Sequence, residues 1–266
     1  MGSAGKIINV ELKKNKIHFI PDVVYAQVPT FETPNQLLQL DLFVPQSNRP
    51  LPTVVFVTGG AFISANRARM LQLRFKLAEN GYVVASINYR TVPNSRFPAP
   101  VEDVKSAIRF LKANARKFLI DPNRIAIVGD SAGGYLTSFA AVTNGSKQFN
   151  VGDHLEQSSE IVTAVNLYGV LDPIRLKTGL VALKDADAAN PINYITKDSA
   201  PMLLMHGTND QIVPPVETEK LFDALKNVGV EAERYLVPNA GHADDYWVQD
   251  DVLNLIVAWL DRHVKK

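Results

Sequence analysis

A chain of 266 residues with 46% hydrophobic and 21% charged side chains has the composition of a globular protein with a full core, long enough for one large α/β domain. Its 28 Lys and Arg against 27 Asp and Glu leave a net charge of +1, which speaks against nucleic acid or an acidic membrane as the main partner. The absence of cysteine excludes disulfides, thiolate catalysis and cysteine metal sites, and no run approaches the roughly 18 apolar residues of a membrane span.

In chain order, the N-terminus MGSAGKIINVELKK lacks the apolar core and cleavage site of a signal peptide. That points to the cytoplasm, with a secreted or periplasmic location if a leader has been removed. LLQLDLFVP (37–45) alternates apolar and polar residues and ends at Pro45, as a half-exposed antiparallel strand should. TVVFV (53–57), YVVASIN (82–88), RIAIVG (124–129), IVTAVNLY (161–168), PMLLMHG (201–207) and AERYLVP (232–238) are β-branched-rich with little alternation. Such runs suit strands covered on both faces of a parallel sheet. Helical spacing lies between them, at 68–81, 99–118, 215–229 and 247–264. The expectation is a single α/β domain over 1–266, a mostly parallel doubly wound sheet with an antiparallel N-terminal part. The stretch 169–200 breaks the alternation and reads as a small cap-like excursion or lid. The C-terminal Arg262, Lys265 and Lys266 read as the solvated end of a helix.

Two stretches need explaining beyond folding. The strand 53–57 leaves through Thr58-Gly59-Gly60-Ala61-Phe62, a loop almost without side chains. It is either a tight turn or backbone N–H groups left uncovered for a ligand. The second stretch is RIAIVGDSAGGYLTSFAAV (124–142), where a strand ends in Gly129-Asp130-Ser131-Ala132-Gly133 and a small-residue helix follows. G-x-S-x-G between strand and helix is the nucleophile elbow, which lifts Ser131 Oγ above the sheet on a strained turn. Neither a G-x-G-x-x-G nor a P-loop signature is present.

A serine hydroxyl needs a base, usually a histidine held by a carboxylate. Of the five histidines, His242 falls in VPNAGHADDYW (237–247), between the last strand and the last helix, where a loop can carry an imidazole over the elbow. His18, His154 and His263 lie in a strand-like region, a polar loop and a charged helix end. His206, within an apolar strand, reads as a satisfied core histidine; no clustered ligands support a metal there. Asp210 follows a strand between serine and histidine and is the candidate acid, with Asp172 as a rival; Asp244 and Asp245 follow His242 too closely to orient its ring. Asp130 reads as a local hydrogen-bonding residue, and Glu102 and Asp103 as local hydrogen-bonding or helix-surface groups.

TGGAF (58–62), SINYRTVPNSRFPAPVEDVKSAIRFL (86–111), DPNRIAIVGDSAGGYL (121–136), APMLLMHGTNDQIVP (200–214) and NAGH (239–242) together resemble α/β-hydrolase-fold carboxylesterases. The likeness is to the hormone-sensitive-lipase-like branch that includes acetyl-ester and feruloyl-ester hydrolases, and it runs from about residue 37 to the C-terminus. It implies the α/β-hydrolase fold and a serine esterase with catalytic Ser131, His242 and Asp210. The oxyanion donors it implies are the N–H groups of Gly60, Ala61 and Ala132. It also implies a small-molecule ester substrate, no metal or organic cofactor, and room for a homodimer. The family usually has a bracing histidine where this chain has Thr58, which puts the rigidity of the loop in question. A serine peptidase on the same scaffold and a non-catalytic ligand-binding relative are the alternatives. The peptidase would carry a large N-terminal domain, where about 36 residues precede the core.

Overall fold

The computed structural model of the chain describes residues 5–265; residues 1–4 and Lys266 lie outside it. Eight strands form one sheet: β1 (Ile17–Val28), β2 (Gln36–Pro45), β3 (Leu51–Val57), β4 (Val83–Ile87), β5 (Ile120–Asp130), β6 (Ala164–Leu167), β7 (Met202–Gly207) and β8 (Ala232–Val237). Their order is β1-β2-β4-β3-β5-β6-β7-β8. β1 and β4 flank β2 in antiparallel pairing, and every pair from β4 across to β8 is parallel. This is the α/β-hydrolase fold expected from the sequence.

Five helices cover the sheet: α1 (Leu71–Glu79), α2 (Ala99–Ala113), α3 (Ala132–Val142), α4 (Val216–Asn227) and α5 (Asp250–Val264). Val55 and Val57 of β3 pack with Val104 and Ile108 of α2 and Leu136 and Phe139 of α3. Val54 and Phe56 face the other way, toward Leu73 and Leu77 of α1 and Ile256 and Leu260 of α5. Both faces of β3 are thus buried, which is why its sequence shows no polar alternation.

Three elements depart from the sequence-based expectation. β1 is foreshadowed only by the strand-like region around His18, without bounds. It is an edge strand with most of its residues exposed, and its register with β2 slips between Ile20 and Val23, so no period-2 pattern survives. The last helix begins only at Asp250, because residues Asp245–Val248 form a separate 3₁₀ turn. Asp103 is no helix-surface residue: it is buried and accepts hydrogen bonds from the Arg90 N–H (2.7 Å) and Nε (2.9 Å).

The stretch 169–200 contains three short 3₁₀ turns, at Pro173–Leu176, Leu183–Asp185 and Pro191–Tyr194, and neither strand nor α-helix. Its entry is tied to α4, where Glu217 Oε2 accepts from the N–H groups of Leu171 (2.8 Å) and Asp172 (3.0 Å). Further on, the Tyr135 hydroxyl of α3 donates to Ala189 O at 2.7 Å. Among the described residues no helix is long and apolar enough to cross a membrane.

Candidate active site

The carboxyl ends of four parallel strands, β3, β5, β7 and β8, carry the loops that hold the candidate residues. In an open α/β sheet that edge is where ligands bind. Ser131 follows β5 with φ 52° and ψ −116°, a strained combination for a residue with a Cβ. Its backbone is over-determined: the Ser131 N–H donates to Leu167 O at 2.9 Å, and Ser131 O accepts from the Tyr135 N–H at 3.1 Å. A Cβ at Gly133 would lie 1.9 Å from Val57 O, and one at Gly129 would lie 2.4 Å from Gly133 O. Only glycine allows the helix to turn back so closely over the strand.

His242 and Asp210 complete an unbroken chain of hydrogen bonds. Ser131 Oγ is 2.8 Å from His242 Nε2, and His242 Nδ1 is 2.7 Å from Asp210 Oδ2. The two loops carrying the histidine and the acid are knitted together. The Asn209 N–H donates to Ala240 O (2.9 Å), and Thr208 Oγ1 accepts from the Asn239 N–H (2.9 Å). The ring of Tyr168 stands edge-on to His242 with centroids 5.0 Å apart, and Trp247 Nε1 donates to Gly241 O at 2.9 Å.

The rival acids are engaged elsewhere. Asp172 Oδ1 accepts from the Ile174 N–H at 3.0 Å, capping its 3₁₀ turn. Asp244 accepts from the N–H groups of Gly241 (2.5 Å) and Tyr246 (3.1 Å), closing the turn that bears His242.

His206 is fully buried, as a core histidine should be, with Nε2 2.8 Å from Val213 O and Nδ1 3.0 Å from Thr218 Oγ1. It is also 3.3 Å from Asp210 Oδ2, a contact that the sequence reading missed. The His206–x–x–x–Asp210 spacing around a strand end was its only signal. Asp210 Oδ1 accepts from the N–H groups of Ile212 (2.9 Å) and Val213 (2.8 Å). Burial pushes the Asp210 carboxyl up, but the donors from His206, His242 and Val213 more than offset it and hold the group well below the usual carboxylate range.

The bare loop after β3 is formed, with Thr58 buried inside it. Thr58 Oγ1 donates to Gly59 O at 3.1 Å, and Thr58 O accepts from the Tyr89 hydroxyl at 2.9 Å. Gly60 (φ 149°), Ala61 (φ 54°) and Phe62 (φ 62°) follow with positive φ, and Gly60 O accepts from the N–H groups of Ile63 (2.9 Å) and Ser64 (3.1 Å). Among the described residues no acceptor pairs with the N–H of Gly60 or Ala61. Ala132 is the first residue of α3, where an N–H has no intrahelical partner.

Asp130 is not a local group. Its Oδ1 accepts from the Gly59 N–H, 71 positions away, at 2.7 Å. A Cβ at Gly59 would lie 2.6 Å from Asp130 Oδ2 and 3.0 Å from Ser131 Cβ, so the loop is bare here because the elbow packs directly against it.

Residues 40–225 match the family model BD-FAE. Esterase LipC of Mycobacterium tuberculosis is 31% identical over 234 residues, 80% of this chain and 58% of LipC, so the chain spans little more than half of that relative. Among solved structures, a truncated form of a carbohydrate esterase from gut microbiota superposes with a TM-score of 0.84 at 26% identity, covering 96% of this chain and 99% of the other. Thermogutta terrifontis esterase 2 in its apo form gives 0.78 at 25% identity, covering 95% and 96%. With the matched segment spanning most of the sheet and reaching past the elbow and the acid loop, the chain belongs to the BD-FAE family.

Proposed function

We propose that this protein is a serine carboxylic-ester hydrolase that works through an acyl-enzyme. The observation that carries the proposal is the continuous relay from Ser131 Oγ through His242 to Asp210, at 2.8 and 2.7 Å. Ser131 Oγ attacks the ester carbonyl carbon as His242 Nε2 takes its proton, and Asp210 stabilises the imidazolium. The tetrahedral oxyanion rests on the N–H groups of Gly60, Ala61 and Ala132; one such donor is worth about 3 kcal/mol. Collapse of the intermediate breaks the ester C–O bond, and the leaving alcohol takes the proton from His242. Water, deprotonated by the same ring, then attacks the acyl-enzyme and releases the acid and free Ser131.

The named relatives are esterases, one of them a carbohydrate esterase, which supports an ester substrate and favours a carbohydrate-linked one; within that class our reading is a short-chain, acetyl or feruloyl ester. In this reading residues 1–266 act as one domain, with 169–200 a small cover on the site side of the sheet. Ser131→Ala is expected to abolish turnover of p-nitrophenyl acetate and stoichiometric labelling by a fluorophosphonate. Undiminished burst kinetics in that variant would refute the assignment. A panel of p-nitrophenyl acyl lengths, methyl ferulate and acetylated xylan would rank the esters, and faster cleavage of matched amides would replace esterase by peptidase.

A further inference from the structure

Thr58 stands at the foot of the loop proposed to hold the oxyanion, and its hydroxyl reaches only its own neighbour, Gly59 O. A one-residue hydrogen bond cannot fix the loop against the rest of the site. Three contacts do reach across, one of them at the far end of the loop, where the Val92 N–H donates to Phe62 O at 2.9 Å. The Tyr89 hydroxyl holds Thr58 O, and Asp130 Oδ1 holds the Gly59 N–H at 2.7 Å. The Asp130 contact joins the loop to the residue immediately before Ser131, so the donor side and the nucleophile side of the site share one rigid link.

Asp130 suits that task. It is completely buried, it cannot relax into water, and hydrogen bonds to charged acceptors are about twice as strong as neutral ones. Its other oxygen, Oδ2, has no hydrogen-bond partner among the described residues; Arg69 Nη2 lies 3.7 Å away. Arg69 itself belongs to the segment that continues from the loop, so the charge pair closes the same strap from its far side. Burial raises the Asp130 carboxyl, with the Gly59 N–H and Arg69 acting in the opposite direction.

We propose that Asp130, through its hydrogen bond to the Gly59 amide, positions the oxyanion loop against the Ser131 elbow in this chain. The inference rests on the oxyanion hole proposed above. Asp130 touches neither substrate nor reacting atoms; it acts through Gly59 on the adjacent N–H groups of Gly60 and Ala61. Losing the link lets those donors drift from the place where charge develops, which lowers kcat and spares KM, because the ground-state carbonyl carries little charge.

The test compares Asp130→Ala with Asp130→Asn, whose amide oxygen still accepts from the Gly59 N–H. With p-nitrophenyl acetate, Asp130→Ala should lose about tenfold to a hundredfold in kcat, with KM within about threefold. Asp130→Asn should retain kcat within about threefold. Should Asp130→Ala not yield folded protein, Asp130→Ser, whose hydroxyl falls one bond short of Gly59, takes its place. Equal losses in the Asn variant and the shortened one would overturn the proposal, and so would wild-type kcat in the shortened one. A wild-type protein that neither turns over esters nor labels at Ser131 would sink the esterase reading instead, so the two failures are distinguishable.

Discussion

At the scale of single residues, the acid of the proposed triad is more heavily held than orientation of one imidazole requires. Asp210 takes two backbone N–H groups on one oxygen and has two histidines beside the other. The sign of its effect on stability follows from the depressed titration. A carboxyl held below its unfolded value stabilises the fold at pH above that value, about 4, and the contribution fades as pH falls through the folded one. Asp210→Asn keeps the side-chain shape but removes the charge. The stability gap between wild type and this variant, measured by urea denaturation, is therefore expected to be full at pH 6–8 and to shrink below about pH 4. A gap independent of pH would mean that the carboxylate's charge contributes nothing to folding. His206 shows where residue-level reading stops: an apolar strand correctly predicts burial, but which carboxylate it faces is decided by how the chain turns after β7.

At the scale of elements, α2 does more than cover the sheet. Its Lys105 is buried, with Nζ bonded to Thr143 O (3.2 Å), Thr143 Oγ1 (3.1 Å), Ser146 O (3.1 Å) and Gln148 O (2.9 Å). One turn on, Arg109 donates to Asp153 O at 3.2 Å and to Val151 O. These cations replace the backbone partners that the long connection from α3 to β6 would have had in a regular element. Burial, with Arg109 alongside, pulls the Lys105 ammonium down to about 8. Lys105→Met would leave several carbonyls without a donor, for an expected loss of about 2–4 kcal/mol. In a chain of this size that lowers Tm by about 4–10 °C, readable by calorimetry. An unchanged Tm would show that water replaces the ammonium without loss.

The parallel strands were legible in the sequence because burial on both faces leaves a strong, local signature, and the five helices through helical spacing or, for α3, the small-residue run after Ser131. β1 was not, since an exposed edge strand with a register slip carries no such signature. That Ser131, Asp210 and His242 would converge was legible through chain order and flanking strands. The bond from Asp130 to Gly59 was not, because strands adjacent in the sheet are far apart in sequence.

At the scale of the whole molecule, the relay joins β5, β7 and β8 loops and the oxyanion loop adds β3, so the site spans the five neighbouring strands from β3 to β8. Activity and global structure are expected to disappear together. Urea transitions followed by ester turnover and by far-UV circular dichroism should superimpose. Turnover lost well before the ellipticity would mean that the loops unravel on their own. The placement of His242 on the last strand-to-helix loop has a consequence for synthesis as well. In the proposed mechanism, Ser131 leaves the ribosome long before its base, His242. The nascent chain would then carry a nucleophile that cannot be deprotonated, and acylation would stay silent until β8 and α5 have docked.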